Sequence, residues 1–260
     1  LILGDNQMIP LTSKHEVAIL NTKGILHSEG LRTLNYTYVK RDSLENVSEY
    51  HTLIVPKGER QKVIFSDSSW VVLNAQSTMK YPVVFRGKER KVYVEGEAYF
   101  EVTRDEKYPF VVSVKNFDVR VLGTSFNVMS YDDEFASSVT LLSGKVETTS
   151  GHDTVRLSPG EQVSITSDNR MTVQKTDINV VVSWMDGKFG FSNERLDVIM
   201  RKICRWYDVE VLYAVPGIRE RRFTGAPASN MPLKELLEAL STTTNLQFSL
   251  QDGVITIKQN

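Results

Sequence analysis

From residue 91 to residue 103 apolar and polar side chains alternate without a break. Val92, Val94, Gly96, Ala98, Phe100 and Val102 fall on one parity, and Tyr93, Glu95, Glu97, Tyr99 and Glu101 on the other. A period of two marks a pleated strand, because successive side chains leave opposite faces. The pattern predicts a half-buried strand, or a strand pair with a bulge at Gly96. Strand signals continue through the first 182 residues. Short β-rich runs occupy 62–65, 70–73, 109–114, 118–122, 126–131, 138–142, 162–166 and 171–174. Turn clusters separate them: Asp67-Ser68-Ser69, Ser143-Gly144, Ser150-Gly151-His152-Asp153 and Ser158-Pro159-Gly160. Many short strands closed by such turns predict a long antiparallel β domain over 1–182, folded as a sandwich, a barrel or a solenoid-like wrap. Leu3 to Met8 reads as a hairpin tip and 41–49 as a polar loop.

The period changes after residue 182. Leu196, Ile199, Met200, Ile203 and Tyr207 recur at helical spacing, and so do Leu233, Leu236, Leu237 and Leu240. Each set predicts a helix that buries one stripe. The two helices belong to an internal repeat with an offset of 37 residues, which carries Leu196 to Leu233, Met200 to Leu237 and Asp208 to Asn245 without a gap. Ser192-Asn193 and Ser229-Asn230 are suited to cap the helix starts. Asp208 and Asn245 tolerate the left-handed conformation that ends a helix. With strands at 188–191 and 221–224 before the helices and a last one at 254–258, the order is β-α-β-β-α-β-β. The chain is expected to be mainly β, with a small α+β domain of duplicated β-α-β units over 183–260.

Composition excludes several functions. The 260 residues carry a formal net charge of −1, with no block of Lys and Arg. A nucleic-acid binder needs a concentrated basic face, so nucleic acid is not an expected partner. One cysteine, Cys204, precludes an intrachain disulfide. No apolar run reaches the roughly 18 residues of a membrane span. The chain opens Leu1-Ile2-Leu3 without a methionine, which points to a piece of a longer protein whose export signal or anchor lies upstream.

No enzyme site assembles from the residue patterns. His15, His27, His51 and His152 form no zinc motif, and no cofactor or metal is expected. Glu95, Glu97 and Glu101 read as a solvated strand face; glycosidase carboxylates would have to face each other across a cleft. Asp132-Asp133-Glu134 lacks the ligand spacing of a calcium loop and reads as a turn. Covalent chemistry is conceivable only at Gly123-Thr124-Ser125. There the Thr124 hydroxyl could attack the Gly123 carbonyl and pass through an ester that water opens, if the peptide were strained. The alternative is a glycine bulge that re-aims the strand before Phe126.

Several segments resemble the FecR family of periplasmic signal transducers, which act as anti-sigma factors. They include Thr52-Leu53-Ile54-Val55-Pro56-Lys57-Gly58-Glu59, Trp70-Val71-Val72-Leu73-Asn74 and, most distinctively, Gly96-Glu97-Ala98-Tyr99-Phe100-Glu101-Val102. Val121-Leu122-Gly123-Thr124-Ser125-Phe126-Asn127-Val128 and Leu157-Ser158-Pro159-Gly160-Glu161-Gln162 follow in the family's order, then Phe189-Gly190-Phe191 and Arg205-Trp206-Tyr207-Asp208-Val209. One departure is Ser68-Ser69, where the family more often carries Gly-Thr.

The resemblance implies a periplasmic localisation, with an upstream helix anchoring the protein in the inner membrane and no direct membrane contact by this chain. It implies two partners: the signalling domain of a TonB-dependent outer-membrane transporter, and an extracytoplasmic-function sigma factor held by a cytoplasmic region outside this chain. The C-terminal domain would resemble the small domain shared with secretins and such transporters. Some relatives cleave themselves at the Gly-Thr pair, here Gly123-Thr124. Docking is expected on an exposed sheet edge of the C-terminal domain. There Arg219, Arg221, Arg222 and Phe223 form a basic, aromatic-tipped segment, or simply a charged edge that blocks aggregation. The rival reading is a carbohydrate-binding or adhesive β module with Trp70, Tyr93 and Tyr99 as its platform.

Overall fold

The alternating segment forms one strand that belongs to two sheets. In the computed structural model, which describes residues 1–11, 26–28, 32–37 and 49–259, fifteen strands precede residue 176. They are β1 (Leu26–Ser28), β2 (Thr33–Asn35), β3 (Tyr50–Val55), β4 (Gln61–Ile64), β5 (Trp70–Leu73), β6 (Ser77–Pro82), β7 (Arg90–Glu101) and β8 (Phe110–Val114). Then follow β9 (Phe117–Val121), β10 (Ser125–Ser130), β11 (Ala136–Ser143), β12 (Val146–Ser150), β13 (Asp153–Leu157), β14 (Glu161–Thr166) and β15 (Met171–Lys175). The polar loop expected over 41–49 lies, Glu49 apart, outside the described residues. At the start, Ile2 bridges Met8 and Asn6 has φ 64°, as a hairpin tip requires.

The first half of β7 pairs with β6 and β8, and its second half with β5 and β10. The change falls at Gly96, whose φ is +98°. A Cβ there would lie 2.4 Å from the Ser77 Oγ and 2.8 Å from the Ser77 Cα. Only glycine allows the strand to turn here and lie against β6. The expected bulge is thus a crossing between layers inside an unbroken twelve-residue strand. One layer is β3-β6-β7-β8-β9-β12-β13; the other contains β2-β4-β5-β7-β10-β11-β14-β15. Most pairs are antiparallel, but β7–β8 and β2–β4 are parallel, so the purely antiparallel expectation is corrected there. Of the three architectures the sequence allows, the two layers enclose a sandwich core. Phe100 and Phe126 stack at 5.1 Å, and Phe100 meets Phe110 of the other layer at 5.9 Å.

Arg90 ties down one end of this sandwich. It is buried, and its Nη1 donates to Asp67 Oδ2 at 2.7 Å and to the Thr103 carbonyl at 2.9 Å, while Nε donates to the Tyr108 carbonyl at 2.8 Å. Asp67 also accepts from Ser69 Oγ at 2.8 Å, and Ser69 Oγ accepts from the Thr103 N–H at 3.0 Å. Ser68 stands between them at φ 67°, the left-handed geometry that a glycine would adopt without strain.

The chain divides into two compact units between Thr176 and Asp177. That is six residues before the expected boundary. The reason is a short helix, α1 (Ile178–Val181), and the turn after it. The Ser183 hydroxyl donates to the Val180 carbonyl and accepts from the Gly190 N–H, both at 2.8 Å, which binds this segment to the second unit.

The second unit runs β16 (Phe191–Arg195), α2 (Leu196–Tyr207), β17 (Glu210–Tyr213), β18 (Arg222–Gly225), α3 (Leu233–Thr244), β19 (Leu246–Gln251) and β20 (Val254–Gln259). This is the β-α-β-β-α-β-β order read from the repeat. Leu196, Ile199, Met200 and Ile203 of α2 are buried with Leu236, Leu237 and Leu240 of α3 in one core. Both helices end on left-handed residues, Asp208 at φ 53° and Asn245 at φ 51°. The expected starts are corrected: the N-caps are Arg195 and Pro232, and neither makes a side-chain cap bond. Ser192 and Asn193 lie in β16, where the pairing with β18 shifts register between Phe191 and Glu194. Both fall in that bulge, with Asn193 left-handed at φ 46° and its N–H donating to Thr224 Oγ1 at 2.8 Å, so they serve the strand pair and not the helix start.

Candidate functional site

Gly123 and Thr124 sit where the chain passes from β9 of one layer to β10 of the other. The return crossing, from β11 to β12, passes alongside at Gly144 and Lys145. A Cβ on Gly144 would lie 2.7 Å from the Gly123 carbonyl oxygen and 2.8 Å from Thr124 Oγ1. The buried Thr124 hydroxyl donates to the Lys145 carbonyl at 2.9 Å and accepts from the Lys145 N–H at 3.4 Å. It thus replaces one rung of backbone pairing and clasps the two crossings. The β10–β11 register shifts between Ser125 and Phe126. Self-attack would require this hydroxyl to release Lys145 and turn to the Gly123 carbonyl carbon.

Of the three glutamates on β7, Glu95 is exposed, and Glu97 and Glu101 are each held by neighbouring side chains. Glu97 accepts from Asn74 Nδ2 at 2.8 Å and from Asn127 Nδ2 at 3.1 Å. Glu101 accepts from Tyr99 Oη at 3.0 Å and from Ser125 Oγ at 2.8 Å. Burial, followed by the nearby Glu101 charge, pushes the Tyr99 hydroxyl up to about 12. These glutamates fasten neighbouring strands side by side. In the β10–β11 turn, Asp132 pairs with Lys115 at 2.8 Å.

The three aromatic candidates do not form one platform. Trp70 and Tyr99 are neighbours at 5.5 Å on β5 and β7, with Lys62 Nζ 4.1 Å over the indole. Tyr93 lies on the half of β7 that belongs to the other layer, with Lys91 Nζ 5.6 Å from its ring. A lysine ammonium thus lies over one face of Trp70 and near one face of Tyr93.

In the second unit the arginine segment divides. Arg219 is exposed, with its guanidinium 4.7 Å over the Tyr213 ring. Arg221 is half-buried just before β18. Arg222 is exposed and donates to the Asn193 carbonyl at 2.7 Å. Phe223 is no aromatic tip: it is half-buried and packs against the core, one parity away from Arg222. Trp206 and Tyr207 hold the connection before α3, with Trp206 Nε1 donating to the Ser229 carbonyl at 2.7 Å and Tyr207 Oη to the Met231 carbonyl at 2.5 Å.

This unit has a two-stranded sheet, β16-β18, and a three-stranded one, β17-β20-β19, with β17 parallel to β20. Among the described residues the outer edge of β17 pairs with nothing. Leu212 on that strand is 60% exposed and Val215 just beyond it is 46% exposed. Such an edge, with exposed aliphatic residues between Glu210 and Arg219, offers strand pairing to another chain. The arginines did not mark this feature in the sequence. Its signal was the pair of aliphatic residues, Leu212 and Val215, at the end of a strand.

A buried polar chain also escaped the sequence reading. Tyr36 Oη bonds to His51 Nδ1 at 2.9 Å and to Tyr81 Oη at 2.8 Å, and His51 Nε2 bonds to Glu49 at 3.1 Å. Burial raises both tyrosine hydroxyls. No fixed spacing links these residues, so no local pattern announces them.

The fold is thus a β sandwich followed by a duplicated βαβ domain with an open sheet edge. The comparisons with known proteins agree. The FecR protein family matches residues 51–147, and the FecR C-terminal family matches residues 188–257. The chain belongs to the FecR family of anti-sigma factors. Two crystal structures, at 1.65 Å and 2.50 Å, of a protein from Parabacteroides distasonis described as an anti-sigma factor are similar to it. Each is 29% identical with a TM-score of 0.75, and the match covers 81% of this chain and 99% of that one. No curated protein matches. Among the described residues no helix is long and apolar enough to cross a membrane.

Proposed function

We propose that this chain is the periplasmic receiver of a transmembrane anti-sigma factor. A substrate-loaded TonB-dependent transporter presents its signalling domain, the second unit binds it, and the event passes to an extracytoplasmic-function sigma factor across the inner membrane. The observation that carries this reading is the open β17 edge with Leu212 and Val215 exposed, in a family of anti-sigma factors. Arg219, stacked over Tyr213 of β17, places positive charge beside that edge, and Arg222 lies on β18. Signalling then requires the partner to prefer one state of the receiver over another, because equal affinity for both would shift nothing.

Calorimetry with the signalling domain of the transporter encoded beside this gene tests the reading. Saturable binding in the micromolar range is expected, with loss in Leu212→Asp and an unchanged melting temperature. Absence of binding at concentrations well above that range would remove the receiver role. Self-cleavage at Gly123-Thr124 has its own test, intact mass after long incubation. A single species is expected; two fragments that vanish in Thr124→Ala would establish cleavage.

A further inference from the structure

We propose that the groove beside the Gly123–Thr124 corner is a docking site for a short acidic peptide segment bearing one aliphatic side chain. It concerns the first unit and is independent of the β17 edge. The groove has a volume of about 900 Å3. Four cations converge on it from separate parts of the chain: Arg104 after β7, Arg120 on β9, Lys145 at the β11–β12 crossing and Arg156 on β13.

Two carboxylates share the groove and both are spoken for. Glu106 pairs with Arg104 at 2.5 Å, and Glu147 pairs with Arg156 at 2.9 Å. Arg120 reaches Glu89 only at 3.8 Å, and Lys145 makes no ion pair among the described residues. Positive charge is therefore in excess in a concave site, in a chain whose net charge is −1. A cleft of one sign concentrates ligands of the other.

The shape selects the ligand class. Arg104 packs over Gly123, and the Gly123 carbonyl and Thr124 hydroxyl fill the space over Gly144, so this part of the groove is a closed backbone floor, with the Thr124 hydroxyl turned to Lys145. A short peptide can lie across it, held by the cations around it. Leu122, 43% exposed, and Pro159 also line the groove and give it exposed apolar surface. An acidic peptide with one leucine or valine satisfies both features, whereas a polyanionic sugar has no aliphatic group to place on Leu122. The occupant would press on the corner where Thr124 clasps the two crossings.

The probe is a fluorescein-labelled peptide with one leucine flanked by aspartates and glutamates, titrated with the intact chain by anisotropy. Saturable binding is expected, weakened about tenfold between about 50 and about 500 mM salt. Lys145→Glu should weaken it about tenfold at unchanged melting temperature, and Arg120→Glu similarly. Lys80→Glu, an exposed lysine outside the groove, should leave it unaltered. The proposal fails if binding does not saturate, or if both groove variants bind like the parent. It fails equally if the peptide with serine in place of leucine binds as well, or if polygalacturonate binds the groove more tightly than the peptide.

Discussion

The two units solve the same problem, burying apolar faces, over very different distances along the chain. In the second unit each helix packs on strands next to it in sequence, and a 37-residue offset carries α2 and β17 onto α3 and β19. In the first unit β7 alone pairs with β5, β6, β8 and β10, and aromatic residues from both layers close one core. Local contacts favour fast, modular folding, while dispersed pairing favours a scaffold whose parts depend on one another. The second unit keeps sheet edges such as that of β17 open; in the first, the central strands have neighbours on both sides. The difference teaches that the small unit is assembled from local packing and the large one from pairing across the whole of its sequence.

The comparison breaks most readily at the aromatic core. Phe100→Ala removes the ring that joins both layers and should destabilise the first unit by about 3–5 kcal/mol. In a urea titration the second unit's transition should stay in place; a shift of both would show that the units are not separate in stability. Next in size is Arg90→Met, which strands Asp67 and frees three anchored segments. A loss of about 2–4 kcal/mol is expected, below the top of the range for buried pairs because Asp67 keeps some contact with water.

Acid should separate the two repeat copies. Asp197 in α2 is buried, which opposes its charge, but hydrogen bonds from Arg195, at 3.0 and 2.9 Å, outweigh this and hold its carboxyl below the usual carboxylate range. Its contribution is therefore complete above the ordinary value near ~3.9 and is lost as pH falls through the lowered one. Asp197→Asn should flatten this acid limb in a pH series of melting temperatures. The other copy has Lys234 at this position and no such limb. The smallest effect sharpens the likeness of the copies. Asp208→Gly and Asn245→Gly should each stabilise by about 0.5–1 kcal/mol, since both replace a strained left-handed residue. Opposite signs would show that the two helix ends are not equivalent.

Much of the fold was legible in the residues, and the errors share one cause. Parity placed β7, and helical spacing placed α2 and α3 with their left-handed ends. The first helix start differs from expectation because Ser192 and Asn193, good caps locally, form the bulge of β16 instead. Phe223 was read as a docking tip, since its inward direction depends on which face of β18 meets the helices. Family resemblance found Gly123-Thr124, but only the neighbouring crossing shows what the threonine hydroxyl holds.

Periodicity, helix ends and the order of elements in the repeat were determined by the sequence alone, because each follows from backbone geometry within a few residues. Tertiary structure alone decided that β7 serves two sheets, that Arg90 reaches Asp67 and Ser69, that Tyr36, His51 and Tyr81 form one chain, and that the edge of β17 stays open. These depend on which distant segments meet. No local preference encodes that choice, because it is settled by the packing of the whole core.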